Sequence, residues 1–275
     1  MEKLTMLDYV KETPGVLRTN IEQYTALVEP LMKEVQQKEI KRILLVASGS
    51  SHNACYCARS FVEKVSGLEV RIITPYTFTY YENDIKENDL VLVVTQSGLS
   101  TNAIEALKII KKKQCRAICL TGNKNSDVKD VADVVIEYGV GEELVGYVTK
   151  GVSSLALFLD LFAIAYSGKS EYLEELKKAV HLNEEMIGKA TSFIQLHYKE
   201  FSSMSWVYSC GAGANYGTAL ESALKMGETI HIPSCCYEIE EYIHGPNLQL
   251  TPQYNVIFFD GNDVASHRVE QVYKA

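Results

Sequence analysis

Five short apolar runs alternate with segments of helical periodicity between residues 43 and 166, and this alternation limits the chain to an α/β fold. The runs predict strands over 43–47, 69–73, 90–95, 116–120 and 133–137, with helices over 53–66, 76–81, 101–113, 126–131 and 149–166. Leu90-Val91-Leu92-Val93-Val94 lacks polar alternation, the pattern of a strand covered on both faces, so a parallel sheet flanked by helices is expected. Ahead of it, residues 1–39 read as a helical segment: Thr5 to Glu12, then Pro14, then an amphipathic stretch through Gln37 with Ile21, Tyr24, Leu27 and Val28 at helical spacing.

Past the polar stretch Ser167-Gly168-Lys169-Ser170, helices are expected over 170–181 and 183–198. A second strand–turn–helix unit follows, with a strand over 206–210 and a helix from Gly217 to Ile230. Val46-Ala47-Ser48-Gly49-Ser50 and Ser209-Cys210-Gly211-Ala212-Gly213 hold the same place after a strand, so the economical reading is a tandem repeat, with domains over 40–168 and 169–275. The second unit shows one further strand, Asn255 to Asp260, and a helix from His267 to Ala275, and is expected to lack its last strands.

Two polar turns stand where chemistry is expected. Thr95-Gln96-Ser97-Gly98-Leu99-Ser100-Thr101 follows the run ending at Val94, and Ala47-Ser48-Gly49-Ser50-Ser51-His52-Asn53 follows Ile43-Leu44-Leu45-Val46. A parallel strand, a short hydroxyl-rich turn and a helix start leave backbone N–H donors at the positive helix end, which suits an anion such as phosphate. Ser or Thr also caps helices for purely structural reasons, but two such turns at the carboxyl ends of one sheet can converge on one ligand.

The balance of 27 basic against 35 acidic residues, net −8, argues against a broad nucleic-acid or anionic-membrane footprint, so any phosphate must be held locally. The seven cysteines, Cys55, Cys57, Cys115, Cys119, Cys210, Cys235 and Cys236, show no zinc spacing and are read as free thiols of a reducing, cytoplasmic compartment. Met1-Glu2-Lys3-Leu4-Thr5 does not open a signal peptide, and the apolar stretch Leu155 to Tyr166, interrupted by Asp160, reads as a core helix and not as a membrane span. Gly211-Ala212-Gly213 brings a dinucleotide site to mind, but the next glycine, Gly217, is misplaced and no acidic residue ending a second strand is evident. No cofactor or metal is expected.

Glu221, Lys225 and Glu228 form one stripe of a helix at i, i+4 and i+7. Such charges usually decorate a solvated face, yet their neighbours Ala219, Leu220, Ala223 and Leu224 are small or apolar, and a partly desolvated carboxylate is a useful proton carrier. His244 precedes Gly245-Pro246, a rigid turn that fixes its backbone. The other histidines, His52, His181, His197, His231 and His267, read as structural, with His52 bordering the first hydroxyl turn.

Ser48-Gly49-Ser50-Ser51, Thr95-Gln96-Ser97-Gly98-Leu99-Ser100, Ala219-Leu220-Glu221-Ser222-Ala223-Leu224-Lys225-Met226-Gly227-Glu228 and Glu241-Tyr242-Ile243-His244-Gly245-Pro246 together resemble the successive signatures of the sugar isomerase (SIS) family. Within it, the chain is similar to the isomerase half of glucosamine-6-phosphate synthase and to the fructosamine-6-phosphate deglycases over roughly residues 40–260. The resemblance implies an α/β architecture of tandem SIS domains, each a five-stranded parallel sheet flanked by helices, in a homodimer or higher oligomer with active sites shared between subunits. It further implies that Gly49, Ser50, Ser51, Thr95, Gln96, Ser97 and Ser100 bind the substrate phosphate, and that Thr149, Glu221 and Lys225 line the sugar pocket. Glu228 would move a proton between C1 and C2, and His244 would assist ring opening from the neighbouring subunit.

Two departures bear on activity. The first SIS unit is read as beginning by about residue 40, so a glutaminase domain is not expected ahead of it, and a counterpart of the lysine that the synthase carries near its C-terminus is not expected before Ala275. The expected activity is a deglycase or isomerase on fructosamine 6-phosphates, with amino-sugar or ketose phosphate isomerisation or deamination as the near alternative. A phosphosugar-binding regulator is the alternative of another class. Partners are limited to the phosphorylated sugar or fructosamine and to further copies of the chain, without nucleic acid or membrane.

Overall fold

The computed structural model describes residues 4–36 and 38–275, which divide into two compact units at Glu184/Glu185. The expectations for Met1 to Lys3 and for Gln37 lie outside the described residues.

The first unit opens with α1 (Met6–Glu22) and α2 (Tyr24–Val35). A reciprocal capping box starts α1: Thr5 N donates to Asp8 Oδ2 at 2.7 Å, and Asp8 N donates to Thr5 Oγ1 at 3.3 Å. Pro14 does not end the helix as the sequence predicts. Its ring is buried within the stripe of Tyr9, Thr13, Leu17 and Ile21, and that packing outweighs the missing backbone donor, so the break comes at Gln23 instead.

There follow β1 (Arg42–Ala47), α3 (Gly49–Ser66), β2 (Glu69–Ile73), α4 (Pro75–Tyr80), β3 (Asp89–Thr95), α5 (Thr101–Lys112), β4 (Ile118–Thr121), β5 (Val134–Glu137) and α6 (Lys150–Ser167). All five expected strands form, in one parallel sheet of order β2-β1-β3-β4-β5. The segment expected as a helix over 126–131 is a single 3₁₀ turn, Asp127–Asp130. Leu45, Leu92 and Leu120 face a core shared with α1, α2, α3 and α6, while Leu44, Val93 and Cys119 face α5 and Phe78 of α4. Successive strand residues alternate between these two layers, which is why the apolar runs are continuous.

The eighteen residues of α6 are long and apolar enough to cross a membrane by length and composition. Eleven of them are buried in protein, with Leu155, Phe158 and Phe162 in the core beneath α1–α3, so α6 is the central helix of this unit. Where the sequence predicts two helices over 170–181 and 183–198, one continuous α7 (Tyr172–Leu196) runs, because neither Gly nor Pro interrupts at Leu182. Its early residues Leu176 and Val180 join the first unit's core.

After α8 (Tyr198–Ser202), the second unit contains β6 (Trp206–Gly211), α9 (Ala214–Lys225), β7 (Ser234–Glu238), α10 (Ile239–Ile243), β8 (Tyr254–Phe259) and α11 (Ser266–Lys274). Its sheet has three parallel strands in the order β7-β6-β8, the order of β2-β1-β3, so a five-stranded sheet is present in the first unit alone. Strand β7 went unpredicted: Ser234-Cys235-Cys236-Tyr237-Glu238 is an edge strand without an apolar run.

Candidate functional site

In the first unit, the chain leaves β1 for β2 on one side and reaches β3 on the other, so the topology switches direction between β1 and β3. Open α/β sheets bind ligands at such a point, beyond the carboxyl ends of the strands. Both hydroxyl turns sit there, one opening α3 and the other α5. Neither N-cap residue, Ser48 or Ser100, caps its helix with its side chain, so helix capping does not account for the two turns.

Gly49 has φ of +56°, and Gly98 has φ of +67° with a Cβ position only 1.8 Å from Ser126 Oγ, so each turn requires its glycine. Ser50, Ser51 and Thr95 are buried, Ser100 is half-buried and Ser97 is exposed. Thr95 Oγ1 donates to Ser100 Oγ at 3.3 Å across the turn, and Leu99 N donates to Ser97 Oγ at 3.2 Å. His52 stands one residue past Ser51, its ring edge-on to Tyr56 at 5.0 Å, and burial lowers its pKa and favours the neutral ring.

Gln96 is differently placed from the hydroxyls. Its Nε2 donates to Glu143 Oε1 at 2.8 Å, and its Oε1 accepts from Tyr138 O–H at 3.1 Å. Its carbonyl accepts from Gly122 N at 3.0 Å and from Thr121 Oγ1 at 3.2 Å. Gly151, in the first turn of α6, packs so closely that a Cβ there would lie 1.7 Å from Gln96 Oε1. Burial raises the pKa of the Tyr138 phenol and keeps it a donor. Gln96 thus ties the second turn to the loop before α6, and that loop ends at Thr149, whose N–H donates to Glu143 Oε1 at 2.8 Å. The Gln96–Glu143 link was not visible in the sequence, because 47 residues separate its ends.

In the second unit, α9 continues into a wide π-type turn, Met226–Ile230, which carries Glu228. Such turns concentrate at functional sites, and nothing in the sequence marks this one. Lys225 Nζ lies 3.0 Å from Glu221 Oε1 and 2.6 Å from Glu228 Oε2, so the three residues form one carboxylate–ammonium–carboxylate set. Lys225 and Glu221 side chains are 15% and 14% exposed and Glu228 is 35%, so the stripe is not a solvated face. A groove of about 510 Å³ opens beside Glu228, lined by Leu220, Leu224, Gly227, Pro233 and Cys235 among others.

His244 is elsewhere in this unit. Ser209 Oγ contacts Ser222 Oγ of α9 at 3.0 Å, whereas Tyr208 and Cys210 share a core with Ile239 and Tyr242 of α10. Adjacent strand residues point to opposite faces, so α9 with Glu228 covers one face of the sheet and α10, which leads into His244, covers the other. An acidic residue does end β7, contrary to the sequence reading, but Glu238 Oε2 accepts from the N–H of Glu240 at 2.8 Å and of Glu241 at 3.4 Å and caps α10. It is engaged in the helix start and not held for a ribose.

A SIS domain model matches residues 38–165. Glutamine–fructose-6-phosphate aminotransferase [isomerizing] of Clostridium tetani is 26% identical over 255 residues, covering 88% of this chain and 42% of the relative. The Thermotoga maritima protein of the same name is 28% identical over 219 residues, covering 76% and 36%. This chain therefore spans less than half the length of these curated relatives. Among solved structures, the C-terminal domain of glucosamine-fructose-6-phosphate aminotransferase from Francisella tularensis superimposes with a TM-score of 0.81 at 21% identity, over 99% of this chain and 80% of that one. Glucosamine-6-phosphate deaminase from Thermotoga maritima gives 0.75 at 21%, over 98% and 82%. These two likenesses are of fold. Residues 38–165, with their 2-1-3-4-5 sheet and paired hydroxyl turns, are the part of the chain that matches the SIS domain family model.

Proposed function

We propose that this chain is a phosphosugar-processing enzyme acting on 6-phosphorylated ketose amines. The observation that carries the reading is the Glu221–Lys225–Glu228 set on α9 and its π turn, where a half-buried carboxylate is held by a largely shielded ammonium beside an open groove. In this reading Ser50, Ser51, Thr95, Ser97 and Ser100, with the N–H groups opening α3 and α5, hold the phosphate, and that remote binding energy orients the reacting carbons. Gln96 shapes the turn through its backbone and its tie to Glu143, and Thr149 closes the pocket loop.

His244 exchanges a proton with the ring oxygen and opens the hemiketal. Glu228 then removes a proton from C1, giving an enolamine, and protonation at C2 produces a C1 imine. Water adds to the imine and expels the amine, leaving glucose 6-phosphate. Only protons and water move, so no redox group takes part. As the family resemblance implies, His244 acts in the site of another copy of the chain, with a homodimer as the smallest working assembly, and the placement of α9 and α10 on opposite faces of the sheet supports this reading.

Release of glucose 6-phosphate from a panel of fructosamine 6-phosphates, read by a coupled dehydrogenase, tests this reading. Turnover that disappears in Glu228→Gln, together with loss of C1 hydrogen exchange in D₂O, is the expected result. Exchange at the wild-type rate in that variant removes Glu228 from the mechanism. The names of the relatives favour a second reading, isomerisation or deamination of an amino-sugar or ketose phosphate, which shares the C1–C2 proton transfer. Turnover of glucosamine 6-phosphate or fructose 6-phosphate in place of the fructosamines selects it, and tight phosphosugar binding without turnover of any of them selects a regulator.

A further inference from the structure

Helix α1 is joined to the loop between β5 and α6 at three points. Asn20 Nδ2 donates to Gly139 O at 3.0 Å, and Gly139, at φ of +78°, has its Cβ position 2.6 Å from the Asn20 amide, so a side chain there would displace it. Tyr9, 2% exposed, accepts on its hydroxyl from Leu144 N at 3.0 Å. Glu12 Oε1 lies 3.0 Å from Lys150 Nζ, which also stands 5.1 Å over the Tyr9 ring. Tyr9, Glu12 and Asn20 recur at i, i+3 and i+11, one side of a helix.

Lys150 is the least expected member. It is 2% exposed, and its ammonium belongs to the first turn of α6, where the helix dipole disfavours a cation. A buried charge is tolerated only when paired, and Glu12 with the Tyr9 ring supplies that pairing. The neighbouring backbone N–H of Lys150 donates to Glu143 Oε2 at 2.7 Å, and Glu143 Oε1 accepts from Gln96 Nε2 at 2.8 Å. A continuous chain of contacts thus runs from α1 through Lys150 and Glu143 to the second hydroxyl turn.

We infer that α1 is a strut of the phosphate site: Tyr9, Glu12 and Asn20 are positioning residues that hold the loop 139–150 closed against Gln96 and so keep the Thr95–Ser100 turn in its binding shape. The inference rests on the phosphosugar reading for the identity of the ligand, but not for the loop contacts. Without Glu12, Lys150 must either stay buried unpaired or carry the start of α6 towards solvent, and Glu143 leaves Gln96 with it.

The test measures amide hydrogen exchange across 139–150, the Kd for fructose 6-phosphate by calorimetry, and Tm, in wild type, Tyr9→Phe, Glu12→Ala, Glu12→Gln and the exposed-face control Lys11→Ala. Losing the Tyr9 hydrogen bond is expected to speed exchange at Leu144 about fivefold and to weaken binding by a similar factor, with Tm lowered by only a few degrees. Glu12→Ala, which leaves the buried Lys150 without its carboxylate, is expected to speed exchange at Lys150 at least as much and to lower Tm further. Glu12→Gln, which keeps an acceptor oxygen for Lys150 but not the countercharge, is expected to fall between wild type and Glu12→Ala, while Lys11→Ala stays within about twofold of wild type. Unchanged exchange in both Tyr9→Phe and Glu12→Ala overturns the strut, and faster exchange with unchanged Kd overturns its link to the site. Should Glu12→Ala not fold, Tyr9→Phe, which removes a single oxygen atom, decides alone. A wild-type chain that binds no phosphosugar refutes the functional reading and the ligand half of this inference, while the exchange rates still decide whether α1 holds the loop.

Discussion

Glu228 and His244 lie on opposite sides of the β7-β6-β8 sheet, the first on the π turn after α9 and the second at the end of α10. Their helices cover opposite faces, an arrangement that suits a site in which the two come from different copies of the chain. If both are catalytic, each site combines Glu228 of one copy with His244 of another, and the two single variants complement each other. Glu228→Gln and His244→Ala, each inactive alone, are expected to regain about a quarter of wild-type activity when unfolded together and reassembled as a random dimer mixture. Half the dimers are then mixed, and each has one intact site of two. A mixture as inactive as its components rules out the shared site.

The second prediction concerns Gly151. Alanine is the better helix former, so Gly151→Ala should not harm α6 as a helix. Its Cβ would nevertheless lie 1.7 Å from Gln96 Oε1, which forces Gln96 off Tyr138 and Glu143. A rise in KM for the phosphosugar of about tenfold or more is expected, with far-UV circular dichroism unchanged. An unchanged KM would show that the Gln96 link does not shape the second hydroxyl turn.

What the sequence revealed and what it hid follow physical lines. The strands of the first unit were legible because burial on both faces makes Ile43 to Val46 and Leu90 to Val94 continuous apolar runs. The hydroxyl turns were legible because strand, turn and helix are contiguous. Pro14 misled because local backbone preference is weaker than the packing of Tyr9, Leu17 and Ile21 around it. Strand β7 was hidden by its half-exposed, polar composition, and Glu143 and Lys150 gave no local sign of their roles because their partners, Gln96 and Glu12, are 47 and 138 residues away.

The joint between β1 and β3 yields a stability prediction. Arg42 Nε and Nη2 donate to Asp89 Oδ1 and Oδ2 at 2.9 and 2.7 Å, and Lys86 N donates to Asp89 Oδ2 at 2.7 Å. Asp89 is 4% exposed at its side chain and Arg42 18%, so this bidentate pair is shielded from solvent, unlike the surface pairs on the helices. Asp89→Ala leaves the Arg42 guanidinium without its partner at the sheet and is expected to cost about 3 kcal/mol in urea unfolding. A loss below about 1 kcal/mol would place this pair with ordinary surface ion pairs.

Asp160 contributes to the pH dependence of the first unit's stability. Its Oδ1 is buried on α6 without a hydrogen-bond partner among the described residues, and burial raises its pKa well above the usual carboxylate range. In the unfolded chain the same group ionises near its ordinary value of about 3.9. Between that pH and the raised folded value, the folded state holds a proton that the unfolded state has lost. The Asp160 contribution is therefore fully present below pH of about 4 and is lost as pH rises, by up to about 1.4 kcal/mol per pH unit, until the folded group itself ionises. Asp160→Asn cannot titrate. Its stability relative to wild type, measured by urea unfolding, is expected to increase as pH rises above about 4 and to level off once the folded carboxyl ionises, whereas a difference that never changes with pH would mean that Asp160 is ionised in the folded protein throughout.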